Sequence, residues 1–392
     1  MNTSYKKGTE AVWAGEGDIN THGAVTTPIV NSVAFAYDNL EEWYDVSKGN
    51  KEGFIYSRNT NPTVAALEEK IRVLEGAEAA ISFATGMAAI SNSLFTFLTA
   101  GKKVVSIKDS YGGTSKLFLD FLPKYNVDVE LCATTNHEAL EAAITKGCDV
   151  LYLETPTNPT LKIIDIERLV EAAKTVGAVV LVDNTFATPI NQNPIQLGAD
   201  LVLHSATKYL CGHSDAMGGL LAGKKELVQK VFHFREINGA SLQADPAYMI
   251  ARGMKTLELR IERQNTSALK IAQYLKAHDK ISDVFYPGLP THTGHDIAKK
   301  QMRGFGGMMS FSLHGGWKSV QQFLPALKLA HRAASLGSVS TLAGPPRTTS
   351  HVELTAEQRK HLGIPEGLIR YSTGIENVDD LLNDIDDALK LV

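Results

Sequence analysis

The chain has 392 residues, which is enough for a large core and roughly two or three domains. Hydrophobic residues make up 44% and charged residues 21%, and the net charge of −4 gives no reason to expect nucleic acid or an anionic membrane as a partner. No apolar run approaches the roughly 20 residues that span a bilayer, and the first residues lack the apolar core of a signal peptide, so a cytoplasmic protein is expected. Three cysteines without metal-ligand spacing indicate reduced thiols, and no metal site is predicted.

The first segment, residues 1–60, differs from the rest because it is rich in Gly, Thr, Pro and polar residues. Such a segment is either disordered or an arm that lies on a neighbouring subunit. Its aromatic stretch FIY favours the arm, because disordered tails contain few aromatic residues.

Regular patterns begin at Pro62. The stretch PTVAALEEKIRVLEG has helical spacing and ends in Gly76, and GMAAISNSLFTFLTAG predicts a second helix. Helical stretches then alternate with short apolar runs, which are KVVSI, VDVELC, DVLYLE, AVVLVD and DLVLHS. This alternation predicts βαβ units and a largely parallel sheet covered on both faces, which we place at residues 61–250.

After Gly219 the pattern changes. KKELVQKVFHFREING and the long DPAYMIARGMKTLELRIERQNTSALKIAQYLKAHDK predict helices, and GFGGMMSFSLHGG predicts a strand pair or hairpin. The amphipathic stretch NVDDLLNDIDDALKLV closes the chain. A smaller α+β domain is therefore predicted at residues 251–392, entered through the long helix.

One lysine, Lys208, follows an apolar run in DLVLHSATKYLCGHSD, at the strand end where ligands collect in α/β proteins. A lysine amine at its ordinary pKa of about 10.4 is protonated and is a poor nucleophile. Desolvation at the mouth of a buried sheet would lower that pKa and free the amine for covalent chemistry. Ser205 and Thr207 add hydroxyl groups that suit a phosphate ester.

Four further segments supply parts of the same site. In ATGMAA, Gly86 lets backbone N–H groups approach an anion at the start of a helix. A phosphate site beside a reactive lysine points to pyridoxal 5'-phosphate, whose ring nitrogen needs a carboxylate such as Asp183. Tyr111, in DSYGGT, is a flat residue to stack on the ring, and Asn158, in ETPTNPT, is an amide to bond the phenolic oxygen of the ring.

Each motif has an ordinary explanation when it is taken alone. A lysine beside a tyrosine is usually solvated, an aspartate before Asn-Thr is commonly a turn or a cap, and ATGM is a weak glycine motif. The joint order of the motifs along the chain is much less expected by chance.

This order resembles the Cys/Met metabolism (trans-sulfuration) family of pyridoxal-phosphate enzymes. DLVLHSATKYLCGHSD is similar to the lysine signature of the family, and the resemblance covers nearly the whole chain. Further stretches that match in the family's order are YSRNTNPT, ATGMAAI, YGGT, ETPTNP, VDNTFATP, RGMKTLELR and GLIRYSTGIE. The resemblance implies an α/β protein of fold type I, like aspartate aminotransferase, with a mostly parallel sheet in the large domain and a smaller α+β C-terminal domain.

The resemblance also assigns residues to the cofactor. Lys208 would hold it covalently and then move protons on the substrate, and Tyr111 would stack on its ring and assist in catalysis. Tyr56 and Arg58 would reach the phosphate bound to the neighbouring subunit, in a homotetramer built from two dimers. The residues implied for cofactor binding are Tyr56, Arg58, Gly86, Met87, Asn158, Asp183, Ser205, Thr207 and Lys208.

Some of the residues that the resemblance places at the substrate depart from the family pattern. Arg370 would clamp the substrate α-carboxylate as a bidentate fork, with Ser335 beside it. Ser340 stands where the family often has a glutamate that suits a distal amino group, so cystathionine is disfavoured. Arg347 either adds a positive charge at the mouth of the site or pairs with a surface carboxylate. Gly113 replaces a cysteine that is typical of methionine γ-lyases.

The resemblance implies a pyridoxal-phosphate-dependent lyase of the γ-lyase type. Its substrate would be a γ-substituted L-amino acid such as methionine, homocysteine or another homoserine derivative, and its products a 2-oxo acid, ammonia and the leaving group. γ-Replacement, of the cystathionine γ-synthase or O-acylhomoserine sulfhydrylase type, is the alternative. A cofactor-binding protein without turnover is disfavoured because Lys208, Tyr111 and Asp183 are all present. An aminotransferase is disfavoured by SATKYLCGHSD and by YSR.

Overall fold

Two β-sheets and the helices around them form the described part of the chain. The computed structural model describes residues 5–17, 23–350, 352 and 355–392, without the side chain of residue 361. Within these residues no helix is long and apolar enough to cross a bilayer. The helices are α1 (Lys7–Trp13), α2 (Leu40–Lys48), α3 (Pro62–Glu75), α4 (Gly86–Phe97), α5 (Gly112–Lys116), α6 (His137–Thr145), α7 (Ile166–Val176), α8 (Thr188–Asn191), α9 (Lys225–Asn238), α10 (Ala244–Met254), α11 (Leu257–Ala277), α12 (His295–Gln301), α13 (Trp317–Ala326), α14 (Ala356–His361) and α15 (Val378–Leu389). The strands are β1 (Ala79–Phe83), β2 (Lys103–Ile107), β3 (Asp128–Cys132), β4 (Val150–Glu154), β5 (Val179–Asp183), β6 (Leu201–Ser205), β7 (Gly219–Gly223), β8 (Ile281–Phe285), β9 (Met308–Leu313), β10 (His331–Arg332), β11 (Leu342–Gly344) and β12 (Leu368–Ser372). Shorter helical turns lie at Leu117–Phe121, Leu122–Tyr125, Pro194–Leu197 and Pro346–Thr348.

The large sheet has the strand order β1-β7-β6-β5-β4-β2-β3 in the described residues. Strands β2 to β6 run parallel to their neighbours among themselves, and β7 is antiparallel to both β1 and β6. Helices α4 and α9 pack on one face and α6 and α7 on the other, so the strands are continuous apolar runs. This confirms the predicted βαβ sheet and brings the carboxyl ends of β2, β4, β5 and β6 to one edge.

The second sheet has the order β10-β11-β12-β9-β8 in the described residues, and α11, α13 and α15 pack against it. The hairpin predicted for GFGGMMSFSLHGG is wrong, because this stretch forms the single strand β9 between β12 and β8. Its glycines lie outside the strand and end it: Gly306 and Gly315 have φ values of 84° and 82°. Strand β12 is therefore an inner strand, which fixes the register of Arg370.

The stretch that predicts one long helix from residue 245 forms two helices, α10 and α11. Gly253 lies where an added Cβ would stand 2.1 Å from the carbonyl oxygen of Cys211, so only glycine permits this close approach. The buried Arg260 of α11 donates hydrogen bonds to the carbonyl oxygens of Tyr209 and Gly253, each at 2.8 Å. These contacts hold the loop that begins at Lys208.

The predicted arm, residues 1–60, has two different parts in the structure, and its residues 1–4 and 18–22 lie outside the described ranges. Helix α1 packs on its own chain: Ala11 is buried, and Lys70 Nζ donates to the Ala11 carbonyl oxygen at 2.9 Å. Helix α2, in contrast, has no buried residue. The contact of this segment with a neighbouring subunit, and the domain divisions at residues 60 and 250, stay predictions.

Candidate active site

Side chains from both sheets line one cavity of about 340 Å³ at the carboxyl edge of the large sheet. Most of the residues predicted for the site lie here together, although they are far apart in sequence. The predicted residues that line this cavity are Gly86, Met87, Tyr111, Asn158, Asp183, Ser205, Thr207, Lys208, Ser335 and Arg370.

Lys208 follows β6 in a tight turn, in which its N–H donates to the Ser205 carbonyl oxygen at 3.1 Å. Its Nζ donates to Ser335 Oγ at 3.0 Å, across the cavity from the large sheet. Burial, and secondly the charge of Arg370, lower the pKa of Lys208 to about 8. The amine is therefore neutral far more often near neutral pH than an exposed lysine.

Asp183 is the last residue of β5, and its carboxylate is almost fully buried. Its Oδ1 accepts the Thr185 N–H at 2.9 Å, and its Oδ2 accepts the Tyr152 hydroxyl at 3.4 Å. Burial raises the pKa of Asp183. No ion pair within the described residues includes this carboxylate. A protonated ring nitrogen would supply the missing positive charge, so this carboxylate fits the predicted cofactor.

The start of α4 forms a cradle for an anion. Thr85 caps the helix, since its Oγ1 accepts the Ala88 N–H at 3.0 Å. An added Cβ on Gly86 would stand 2.8 Å from Cβ of Ser205, so a glycine is needed for helix and strand to come this close. The positive end of the helix dipole therefore lies beside Ser205, and Thr207 lines the same cavity. A phosphate group fits this cradle.

Arg370 lies in β12 and is buried on the opposite wall. Its Nη1 donates to Asn158 Oδ1 at 3.2 Å, and its Nη2 donates to the Ser335 carbonyl oxygen at 3.0 Å. Burial lowers the pKa of Arg370 to about 10, which leaves it charged at neutral pH. Ser335 has a φ of 125°, which L-residues rarely adopt, and in this conformation it contacts both Arg370 and Lys208.

Tyr111 lies at the rim of the cavity, and the residue is 44% exposed. It precedes the short helix α5, and its N–H donates to Glu154 Oε2 at 2.8 Å. Glu154, the last residue of β4, also lines the cavity and was missed by the sequence analysis. The motif ETPTNPT predicts a role for Asn158 alone, because the pairing of Glu154 with Asp183 depends on the register of β4 and β5.

Comparison with known proteins identifies the family. The model of the Cys/Met metabolism PLP-dependent enzyme family matches residues 8–390. The chain belongs to this family. It is 43% identical over 391 residues to the L-methionine gamma-lyase of Fusobacterium nucleatum subsp. polymorphum, with 99% of each chain covered. It is 41% identical over 385 residues to cystathionine gamma-synthase 1, chloroplastic, of Nicotiana tabacum, which covers 97% of this chain and 71% of that protein.

A solved structure gives the same result for the fold. The cystathionine gamma synthase from Xanthomonas oryzae pv. oryzae, in complex with aminoacrylate and cysteine, aligns with a TM-score of 0.94 and 39% identity, covering 99% of this chain and 98% of that chain. The predicted fold of type I is therefore confirmed. The predicted cofactor and enzyme class are confirmed as well: this family member is an enzyme that depends on pyridoxal 5'-phosphate.

Two residues predicted to select the substrate lie outside the cavity of about 340 Å³ that contains Lys208. Ser340 lines an adjoining cavity of about 850 Å³, which shares Thr207 and Ser335 with the first. Arg347 Nη1 lies 3.3 Å from Glu366 Oε2, and its guanidinium lies 4.6 Å from the ring centroid of Trp317. The position of Arg347 is therefore that of a surface ion pair, and it gives no support to contact with the substrate.

The two residues predicted to act on a neighbouring subunit do not line the cavity of their own chain. The Arg58 guanidinium lies over the Tyr56 ring, 5.1 Å from its centroid, and both side chains are exposed. Their role stays a prediction.

Cys211 is buried three residues after Lys208, and its Sγ lies 3.2 Å from Asp215 Oδ1. Burial raises the pKa of Cys211, which disfavours a reactive thiolate. Within the described residues no group of His, Cys, Asp and Glu side chains is arranged to hold a metal ion.

Proposed function

We propose that the protein catalyses γ-elimination on a γ-substituted L-amino acid, giving a 2-oxo acid, ammonia and the γ-leaving group. One observation carries this proposal: Ser335 contacts both Lys208, through its hydroxyl, and Arg370, through its carbonyl oxygen. An amino acid whose carboxylate binds Arg370 thereby presents its Cα to the amine of Lys208. This arrangement suits proton removal from an α-amino acid.

Each residue of the cavity has a task in this reaction. The cofactor, when bound, supplies an electron sink that makes protons on the substrate acidic. Lys208, with its pKa of about 8, accepts a proton at one carbon and returns it at another. Asp183 favours a protonated ring nitrogen, and Tyr111 at the rim assists departure of the leaving group. Arg370 holds the α-carboxylate fixed while protons move.

Elimination and replacement use the same residues, and Ser340 favours elimination. γ-Replacement is the second candidate because one similar protein is named a cystathionine gamma-synthase, whereas another is named an L-methionine gamma-lyase. A glutamate at position 340 would suit the distal amino group of cystathionine, but serine is neutral and offers no such pairing. We therefore place methionine, homocysteine and related homoserine derivatives before cystathionine as substrates.

A substrate panel separates the two reactions. The holoenzyme is incubated with methionine, homocysteine, cystathionine and homoserine esters, with and without a thiol, and 2-oxo acid and new amino acids are both quantified. We expect 2-oxo acid and ammonia in equal amounts without any thiol. Turnover that requires a thiol and yields only a longer amino acid would establish replacement instead.

We also propose a homotetramer of two dimers, in which Tyr56 and Arg58 of one protomer contact the phosphate bound by its neighbour. The exposed position of both residues, away from the cavity of their own chain, supports this. Lys208→Ala and Arg58→Ala chains, each inactive alone, should regain activity when mixed, because one site of a mixed dimer is intact. Absence of recovery after subunit exchange, verified by native mass spectrometry, would mean that the arm serves its own chain.

We propose a cytoplasmic location for the protein. Its three cysteines are all free and buried, as is usual for proteins of a reducing compartment. Fractionation of cells that express the protein would test the location.

A further inference from the structure

Glu154 is a buried carboxylate in the active-site cavity with no role in the proposed reaction. It ends β4 and pairs in register with Asp183, which ends β5, so two carboxylates stand side by side. Only 5% of Glu154 is exposed, and no ion pair among the described residues includes it. Burial of an acid without a positively charged partner is costly, so its retention calls for a specific reason.

Hydrogen bonds to backbone N–H groups favour the charged form of Glu154. Its Oε2 accepts the Tyr111 N–H at 2.8 Å, and the Asn158 N–H acts on the carboxylate in the same way. Opposing them, burial and the charges of Asp183 and Asp109 raise the pKa of Glu154. Asp109 is itself paired with Lys162, at 2.9 Å. The hydrogen bond from the Tyr111 N–H is therefore a contact that keeps this side chain in place.

Tyr111 has few other anchors. Two glycines follow it at the start of α5, a helix of only five residues, and nearly half of the residue is exposed. No side-chain hydrogen bond to another described residue fixes its ring. The bond from its N–H to Glu154 connects the backbone of Tyr111 directly to the end of the rigid strand β4.

We propose that Glu154 is a positioning residue, whose carboxylate holds the backbone of Tyr111 so that the tyrosine ring stands over the cofactor. This inference rests on the proposed role of Tyr111. A carboxyl group offers two oxygens that can accept from N–H groups, whereas an amide of the same size offers one accepting oxygen and an NH₂ group that cannot accept.

The test compares Glu154→Gln with the parent holoenzyme. Replacement of one accepting oxygen by an NH₂ group weakens the contacts with the two N–H groups and predicts a fall in kcat of about ten- to a hundredfold. Cofactor content should stay the same, because Lys208 and the phosphate cradle are unchanged, while the visible circular dichroism of the bound cofactor should change as Tyr111 shifts. Glu167→Gln is the matched control, since this exposed glutamate of α7 pairs with Lys300 on the surface.

A double-mutant cycle shows whether Glu154 acts through Tyr111. In a Tyr111→Phe background, Glu154→Gln should lower kcat by less than about threefold, because the hydroxyl that it positions is already gone. Additive effects, or unchanged kcat and dichroism in Glu154→Gln, would overturn the inference. If Glu154→Gln does not fold, Glu154→Asp replaces it, and this shorter carboxylate should show the same non-additivity with a smaller fall in kcat.

The cycle also separates this inference from the proposed function. If the enzyme proves to catalyse replacement, kcat is measured for that reaction and the same non-additivity is expected. A protein without any turnover would contradict the proposed function, and the circular dichroism of the bound cofactor would still decide the role of Glu154.

Discussion

Two arginines that are predicted to contact the substrate lie in different environments, one buried and one exposed. Arg370 is 7% exposed, lies in the inner strand β12 and is held by Asn158 and Ser335. The side chain of Arg347 is 44% exposed and lies in a short turn after β11, on Glu366 and Trp317. The difference arises from the backbone. Neighbouring strands on both sides of β12 fix the direction of the Arg370 side chain. Arg347 lies in a turn, where its side chain can adopt the conformation that brings it to nearby surface residues.

The ionic interactions of the two arginines are therefore expected to contribute very different free energies. A surface ion pair contributes about 0–1 kcal/mol, because water and salt screen it. Removal of one partner from a buried pair of a guanidinium and a carboxylate costs much more free energy. Substitutions at the two positions therefore test whether burial, rather than charge alone, decides which arginine binds the substrate.

Arg370→Ala should have the larger effect. Removal of one partner of a buried charge pair costs roughly 2–5 kcal/mol, so KM should rise by about 30-fold or more for every substrate. Arg370→Lys should recover little of this, because an ammonium cannot hold Asn158 and Ser335 as a fork. Steady-state kinetics on the substrate panel measures both variants, and cofactor absorbance checks that the site is intact. A KM within threefold of the parent would break the comparison.

The second-largest effect is expected on the stability of the apoprotein, and it follows from the lowered pKa of Lys208. Its folded pKa of about 8 lies below the ordinary value of 10.5, so the unfolded chain binds more protons between these two pH values. The free energy of unfolding should therefore rise with pH across this window, and the cost of the buried charge is fully present below pH 8.

Lys208→Met removes that cost. At pH 7 the variant apoprotein should be more stable by on the order of 1–3 kcal/mol, and the difference should shrink towards pH 10.5. Urea unfolding at a series of pH values measures this, with Lys318→Met on the exposed side of α13 as the control. A difference that stays constant with pH would show that the amine is not desolvated.

Arg347→Ala should have the smallest effect. Loss of a half-exposed pair and a ring contact predicts a change in KM below about fivefold, without reordering of the substrates. A selective loss of activity on polar substrates would instead support the predicted role of Arg347 in substrate choice, and would mean that its surface position changes when substrate binds.

The sequence predicts the large sheet well for a physical reason. Strands buried on both faces are continuous apolar runs, so KVVSI, DVLYLE, AVVLVD and DLVLHS match strands β2, β4, β5 and β6 within about one residue. Polar residues directly after such runs then lie at one edge of the sheet. For this reason the sequence predicts that Lys208, Asp183 and Asn158 lie together at this edge.

Features that depend on register or on long side chains were not visible in the sequence. Glu154 became a candidate only once β4 and β5 were aligned, because its neighbour Asp183 is 29 residues away in the chain. Arg347 reaches Glu366 through a flexible side chain, and no local sequence pattern predicts this ion-pair partner. The glycines around β9 suit a hairpin as well as a strand with turns at its ends, so the sequence alone left them ambiguous.

Lys208, which follows β6, is proposed to carry the cofactor covalently, and reductive labelling is the direct test of this role. The holoenzyme is reduced with borohydride and digested, and the peptides that carry the cofactor are identified by mass spectrometry. We expect the label on the peptide that contains Lys208 and no label in Lys208→Ala, which should still bind cofactor through the phosphate cradle but should not turn over. A label on another lysine, or a fully active Lys208→Ala variant, would show that Lys208 does not carry the cofactor.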